Sequence, residues 1–150
     1  MKVSEFTIER LPDVLEFERR LREEESFFNW EIGEAYQQAV RASFADRRFD
    51  GCISLLAEDE EGNVVGRIDC SMIPSRFDGS IKAYLDWICV LKSARHRGVA
   101  QALLSALRER LRMRGIDTLV ALIASNEEAQ RFYRNIEGAQ IRDEGFWLTP

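Results

Sequence analysis

The chain has 150 residues, 45% of them hydrophobic and 31% charged, with three prolines and a formal net charge of −5. A chain of this length forms one domain with a real core, burying roughly 70% of its unfolded surface, and it has no apolar run near the ~20 residues that span a bilayer. The acidic balance excludes a generic nucleic-acid binder, which carries a basic excess.

No internal repeat, low-complexity tract or Gly/Ser/Pro linker divides the sequence, so residues 1–150 read as a single domain. Acid appears at Glu5, too early for a signal or transit peptide, and a soluble, cytoplasmic protein is expected. Residues 3–9 alternate apolar and polar and predict a first strand. Leu11-Pro12-Asp13 opens a helix to about residue 25, with proline in the first turn, where its missing N–H costs nothing. An aromatic cluster, Phe27-Phe28-Asn29-Trp30, connects it to a second predicted helix over about 31–47. Residues 52–58 and 64–73 predict two strands joined by a polar, glycine-containing hairpin loop. Residues 82–90 are almost continuously apolar, as a central strand covered on both faces would be.

Val99, Ala100, Leu103, Leu104, Leu107 and Leu111 follow helical spacing, and Gly115 marks the end of that helix. Residues 118–124 predict a buried strand, parallel to the preceding one because a helix joins them. Asn126 caps a fourth helix with Glu127 and Glu128 in its first turn and Ala129, Phe132, Tyr133 and Ile136 as its apolar stripe. Residues 139–143 and 146–149 predict a terminal hairpin.

Cys52, Cys70 and Cys89 lie far apart, with no Cys-x-x-Cys pair and a single histidine in the chain. This argues against a disulfide scaffold and a zinc site and leaves reduced, packed thiols as the expectation. Charge is unevenly placed: residues 1–75 hold 17 acidic and 9 basic side chains, a net −8, whereas residues 76–150 hold 9 and 12, a net +3. The asymmetry suits a cationic ligand on the first half and an anionic one on the second, with ordinary solvated faces as the alternative.

The informative segment is 90–100, which leads from a buried strand into the strongest helix. Such a junction leaves backbone N–H groups unpaired at the positive end of the helix dipole. Gly98 and the small Ala100 let phosphate oxygens approach the main chain, and Lys92, Arg95 and Arg97 add positive charge. The segment therefore predicts a pyrophosphate site. It is neither of two common phosphate loops, having no Gly-Lys-Ser/Thr ending and no Gly-x-Gly-x-x-Gly after an early strand.

Arg95-His96-Arg97-Gly98-Val99-Ala100 fits the pattern Arg/Gln-x-x-Gly-x-Gly/Ala and resembles motif A of the GNAT superfamily of N-acetyltransferases. Asn126, Ala129, Phe132 and Tyr133, followed by Gly138, resemble the family's later motif. The resemblance implies an α/β fold, a mixed, twisted sheet of six to seven strands with four helices, whose parallel fourth and fifth strands splay apart to admit acetyl-CoA. It implies that main-chain groups of Ile88, Cys89 and Val90 bind the pantetheine arm and that the loop amides of Arg95, His96, Arg97, Gly98, Val99 and Ala100 hold the pyrophosphate. Asn126 would bind the cofactor arm, Tyr133 would act as general acid toward the thioester sulfur, and a homodimer is in keeping with the family. Three departures stand out: Lys92 where proline is frequent, Ala100 in place of the second glycine, and one extra residue between Tyr133 and Gly138; His96 also stands where the family often has glycine.

An amine with a pKa near ~10 must lose a proton before it attacks, and the departing thiolate must gain one. Asp86 is the candidate base, since it interrupts an apolar strand where an ionised carboxylate is costly unless paired, and the alternative is a structural partner for a buried arginine. Tyr84-Leu85-Asp86 resembles a Tyr-Leu-Glu stretch of some diamine acetyltransferases in the family. Phe27, Phe28 and Trp30 are either core or the walls of an acceptor pocket able to hold a cation over a ring face. Tyr133 and Asn126 have plain alternatives as a packed tyrosine and a helix cap. The expectation is a metal-free N-acetyltransferase acting from acetyl-CoA on a primary amine of a small molecule or protein, without nucleic-acid or membrane partners. The alternative is a non-catalytic acyl-CoA-binding or sensing module of the same fold.

Overall fold

A computed structural model of the chain describes residues 1–142, 145 and 147–149. Its contacts gather into two compact units, residues 1–120 and 121–150. The first runs β1 (Lys2–Glu5), α1 (Leu11–Glu24), α2 (Glu34–Ser43), β2 (Ile53–Glu58), β3 (Val64–Pro74), β4 (Ile81–Val90) and α3 (Val99–Met113), and it ends within β5 (Leu119–Ala121). The five strands of the described residues lie in the order β1-β2-β3-β4-β5. Neighbours from β1 to β4 are antiparallel. A crossover through α3 brings β5 parallel to β4, with the Ala83 N–H donating to Thr118 O at 2.9 Å.

Successive residues of a strand face opposite sides of the sheet, and β3 uses both. Gly66 meets Val99 and Leu103 of α3, whereas Arg67 meets Glu18 of α1 and Tyr36 of α2. Helices therefore cover both faces. On one, α1 buries Leu11, Val14, Phe17 and Leu21; on the other, α3 buries Val99, Leu103, Leu104, Leu107 and Leu111. A Cβ at Gly66 would stand 2.8 Å from Val99 Cγ1 and 3.1 Å from Leu103 Cδ1, so glycine lets the first turn of α3 settle onto the sheet. That contact fixes where the helix N-terminus stands relative to the end of β4.

Several predicted boundaries are corrected. The first strand stops at Glu5 rather than continuing to residue 9, because β2 starts at Ile53 and offers no partner beyond Thr7; Ile8–Arg10 instead forms a 3-10 turn leading into α1. The second helix is shorter than 31–47: it starts after Gly33, and the Asp46 side chain accepts the Arg48 N–H to start a separate turn at Arg47–Phe49. The predicted buried strand at 118–124 shrinks to Leu119–Ala121 and is half-buried, as suits the last strand in the order. The terminal hairpin does not form among the described residues of 139–149, so five strands replace the expected six to seven. Alternation supplies such a segment with a face but not with a ladder partner, and a two-stranded hairpin is marginal alone; Asp143, Glu144 and Phe146 of that prediction lie outside the described residues.

The second unit contains α4 (Glu127–Arg134), with Asn126 Oδ1 accepting the Ala129 N–H at 2.8 Å as the cap. Ala129, Phe132, Tyr133 and Ile136 are all half-buried along one stripe. The three cysteines are free thiols. Among the described residues no helix is long and apolar enough to cross a membrane.

One buried carboxylate makes stability pH-dependent. Glu58 accepts from Arg10 Nη1 at 2.7 Å and from Ser4 Oγ at 2.8 Å. The Arg10 guanidinium, with Ser4, holds this carboxyl below its ordinary value of 4.5 despite burial. A carboxylate depressed in the folded state contributes stability that is complete above its unfolded pKa and lost as pH falls through the folded one. Glu58→Gln is therefore expected to lower stability at neutral pH and to flatten the acid limb of a urea-unfolding series. An acid limb as steep as the native one would remove Glu58 from that role.

Candidate active site

The junction between β4 and α3 is built for an exposed backbone. Lys92–Ala94 makes a 3-10 turn, after which His96 (φ 58°) and Gly98 (φ 80°) both take the left-handed conformation. Glycine adopts this region freely, whereas histidine does so at a cost. This accounts physically for a position where the family often has glycine. Gly98 is the N-cap of α3 and has no side-chain cap, so the first-turn N–H groups open outward at the positive helix end. A Cβ at Gly98 would meet nothing within 4 Å. His96, Arg97 and Gly98 are exposed around this opening, which can receive an anion.

The Arg95 side chain is tied to the end of α1. Its Nη1 donates to Glu25 Oε1 at 3.0 Å, its Nη2 also pairs with that carboxylate, and its Nε donates to Val90 O at 3.2 Å. Glu24, one residue earlier, accepts from the Ser93 N–H at 2.9 Å and from Ser93 Oγ at 2.7 Å. Burial raises the Glu24 carboxyl, but the two Ser93 donors outweigh it and leave it below the ordinary carboxylate value.

Along β4, Ile88, Cys89 and Val90 pair with Ile68, Arg67 and Gly66. Burial pushes the Cys89 thiol up to about 12, so it is protonated at neutral pH and supplies no thiolate nucleophile. Further down the ladder the register shifts: Asp69 pairs with Trp87 and Cys70 with Leu85, leaving Asp86 as the extra residue of a β-bulge. The sequence suggested a buried position for Asp86, yet it is exposed, because the bulge lifts it out of the alternation. Asp86 and Trp87, which regular alternation would send to opposite faces, line the same cavity. Among the described residues no hydrogen bond or ion pair engages the Asp86 carboxyl.

That cavity, about 570 Å³, lies wholly within the first unit. Trp30 and Trp87 meet edge to face at 5.6 Å on its wall, and Phe44 is also part of the lining. Phe28 packs behind both tryptophans, at 5.4 Å from Trp30 and 5.9 Å from Trp87, while Phe27 turns outward. Of the three predicted aromatics, Trp30 alone lines the cavity.

Its floor is a chain of charges that the sequence analysis missed. Arg67 Nε stands 2.6 Å from Asp69 Oδ2, though its N–H is not aimed along that line, and Arg67 Nη1 is 3.7 Å from Glu18 Oε1. Glu18 Oε2 also accepts from Arg22 Nη1 at 2.8 Å. Asp69 accepts in addition from Ser54 Oγ at 2.7 Å. A signal was present: Glu18 occupies a position of the buried 11-14-18-21 stripe, and Arg67 and Asp69 share one face of an otherwise apolar strand.

With Glu18, Asp50, Asp69 and Asp86 against Arg67, the lining carries an excess of negative charge beside two indole rings. Such a cavity suits a cation with an apolar body. Asn126 and Tyr133 belong to the second unit, where Asn126 caps α4 and the Tyr133 ring meets Phe132 edge to face at 5.3 Å.

Comparison with known proteins agrees with this architecture. An aminoglycoside acetyltransferase from an uncultured soil metagenomic sample superposes with a TM-score of 0.81 at 16% identity, covering 99% of this chain and 95% of that one. The ribosomal-protein-alanine N-acetyltransferase of Brucella melitensis biovar Abortus 2308 gives 0.74 at 18% identity over 100% and 99% of the two chains. The aminoglycoside 6'-N-acetyltransferase AAC(6')-Ih of Acinetobacter baumannii gives 0.75 at 14% over 99% and 97%. These likenesses speak to the fold alone. No curated protein sequence matches. The sequence model of the acetyltransferase (GNAT) family, however, matches residues 13–137, a span that includes the bulged strand, the left-handed turn at Gly98 and the helix capped by Asn126. The chain belongs to the GNAT family of acetyltransferases.

Proposed function

We propose that the protein is an N-acetyltransferase that moves the acetyl group of acetyl-CoA onto a primary amine by direct attack, working as one domain over its whole length. The observation that carries this is the β4–α3 junction, where His96 and Gly98 in the left-handed conformation open the first-turn amides of a 15-residue helix to solvent. These residues fit a pyrophosphate: the helix N-terminus has no side-chain cap, His96, Arg97 and Gly98 are exposed beside it, and no side chain at Gly98 fills the space. Acetyl-CoA supplies the activated acyl group. Loop amides from Arg95 to Ala100 hold its phosphates, main-chain groups of Ile88, Cys89 and Val90 take the pantetheine arm, and Asn126 contributes a further contact.

The acceptor amine enters the cavity, where Trp30 and Trp87 hold its body and Asp86 Oδ accepts the proton the ammonium must lose. Tyr133 Oη gives a proton to the departing sulfur, a role resting on its place in the family's motif. The acceptor is a small-molecule or protein amine, and the charge of the cavity favours a cationic one. The reaction needs no metal.

Calorimetric titration with acetyl-CoA, beside 3'-dephospho acetyl-CoA, tests the first half, and thiol release with polyamines, aminoglycosides and N-terminal peptides tests the second. Saturable binding and acceptor-dependent release of CoA are expected. Tyr133→Phe should then lower kcat by about 10²-fold with the acetyl-CoA Kd unchanged, the low end of the range for a lost general acid. A folded protein that binds no acetyl-CoA at millimolar concentration overturns the proposal. Binding without turnover on any amine would favour a sensing module instead.

A further inference from the structure

The last turn of α1 touches both halves of the site. Arg22 Nε donates to Trp30 O at 3.0 Å, and its guanidinium lies 4.7 Å over the Trp30 ring, so the aromatic wall of the cavity is held from this turn. Glu24 and Glu25, two and three residues on, grip the opposite structure, the β4–α3 loop, through Ser93 and Arg95. These contacts join residues 69 and 70 positions apart in sequence. The Phe28 N–H donates to Glu25 O at 3.2 Å, so the connection carrying Phe28 and Trp30 starts from the same anchor.

Electrostatics makes this placement informative. Two carboxylates beside a loop that receives an anion oppose that anion, and a loop shaped only for affinity would exclude them. Their geometry is accounted for if their work is positional. Glu25 draws the Arg95 guanidinium back toward α1 and Val90 O, and Glu24 pins the turn that precedes the opening.

We propose that the last turn of α1 is a positioning element joining the two substrate sites, in which Glu25 acts through Arg95, and Glu24 through Ser93, to set the phosphate loop against the Trp30 wall. The proposal rests on the reading that this loop takes acetyl-CoA. Occupying the loop therefore reorders Trp30, and by reciprocity an acceptor seated against Trp30 tightens acetyl-CoA.

The test uses the full chain carrying Trp147→Phe, so that emission reports Trp30 and Trp87, with calorimetry run in parallel. Acetyl-CoA is expected to change the emission saturably at the calorimetric midpoint, and adding Trp30→Phe should remove at least half of that change. Glu25→Gln is expected to bind acetyl-CoA within about threefold of the parent and yet lose most of the Trp30 response. Ser93→Ala, which removes one hydroxyl contact and leaves the loop backbone intact, should lose a smaller part in the same direction; it serves as the reporter if Glu25→Gln does not fold. Binding by the parent without any Trp30 change, or an undiminished change in both variants, overturns the positioning role while leaving the cofactor reading intact. No calorimetric binding by the parent overturns that reading and this inference with it.

Discussion

Gly98→Glu is expected to abolish acetyl-CoA binding while the fold stands. The residue sits at φ 80°, where a non-glycine side chain costs about 1–2 kcal/mol. An added Cβ meets nothing within 4 Å, so no steric term joins that backbone cost. The melting temperature should fall by only a few degrees, at about 2–4 °C per kcal/mol for a chain of this size. Binding suffers far more. A carboxylate tethered at the N-cap places a negative charge at the positive helix end, beside the amides the phosphates would use. It is an anion held permanently in the place the pyrophosphate needs, and the incoming phosphates meet its charge as well as its bulk.

Gly98→Ala separates the two effects, since it carries the same backbone cost with no carboxylate and leaves the opening free. The alanine variant should keep acetyl-CoA within about tenfold of the native protein, and the glutamate variant should lose at least about 10²-fold, roughly 3 kcal/mol relative to the native protein at 1.4 kcal/mol per decade. Calorimetry beside thermal unfolding reads both quantities. Equal Kd values for the two variants would place the phosphates elsewhere.

How much of this was legible in the sequence depends on whether the cause was local. The helix over Val99–Met113 was readable because its apolar spacing is its own, and Gly98 was readable because only a special backbone puts glycine between a strand and a strong helix. The cap at Asn126 and the ends of β2 and β3 are local in the same sense. The bulge at Asp86 was not readable. A bulge is a mismatch of register between two strands, and nothing in Tyr84-Leu85-Asp86-Trp87 states which residue of β3 each will face. Its outcome reversed the expected environment of Asp86 and brought Trp87 into the cavity beside it. Glu24 and Glu25 carry no local sign of a partner at the end of α1, and only tertiary contact gives them Ser93 and Arg95. The terminal segment failed in the opposite way, since its alternation was local and its ladder partner was not.

Glu18→Ala is expected to be the most destabilising single change among the charged residues of the cavity. Glu18 is 3% exposed and stands between two guanidiniums, accepting from Arg22 Nη1 at 2.8 Å and lying 3.7 Å from Arg67 Nη1. Arg67 keeps Asp69, and Arg22 keeps the carbonyls of Glu18 and Trp30, so neither cation is stranded entirely. They are nonetheless left with excess positive charge in a desolvated floor, and breaking a buried pair by removing one partner costs about 3–5 kcal/mol. The remaining contacts argue for the lower end, about 3 kcal/mol, which corresponds to a fall of roughly 6–12 °C in Tm. Glu18→Gln keeps the shape and one acceptor for Arg22 while losing the charge, and should fall between. Combining Glu18→Ala with Arg22→Met removes the cation along with its partner, so the double variant should be less destabilised than the two single changes added together. Strict additivity would mean that Glu18 acts by packing alone. The same loss of negative charge should raise KM for a cationic acceptor with little change in the acetyl-CoA Kd, because the β4–α3 loop is held by Glu24 and Glu25 and makes no use of Glu18. A variant whose Tm stays within about 2 °C of the native value would show that water reaches this floor and screens its charges.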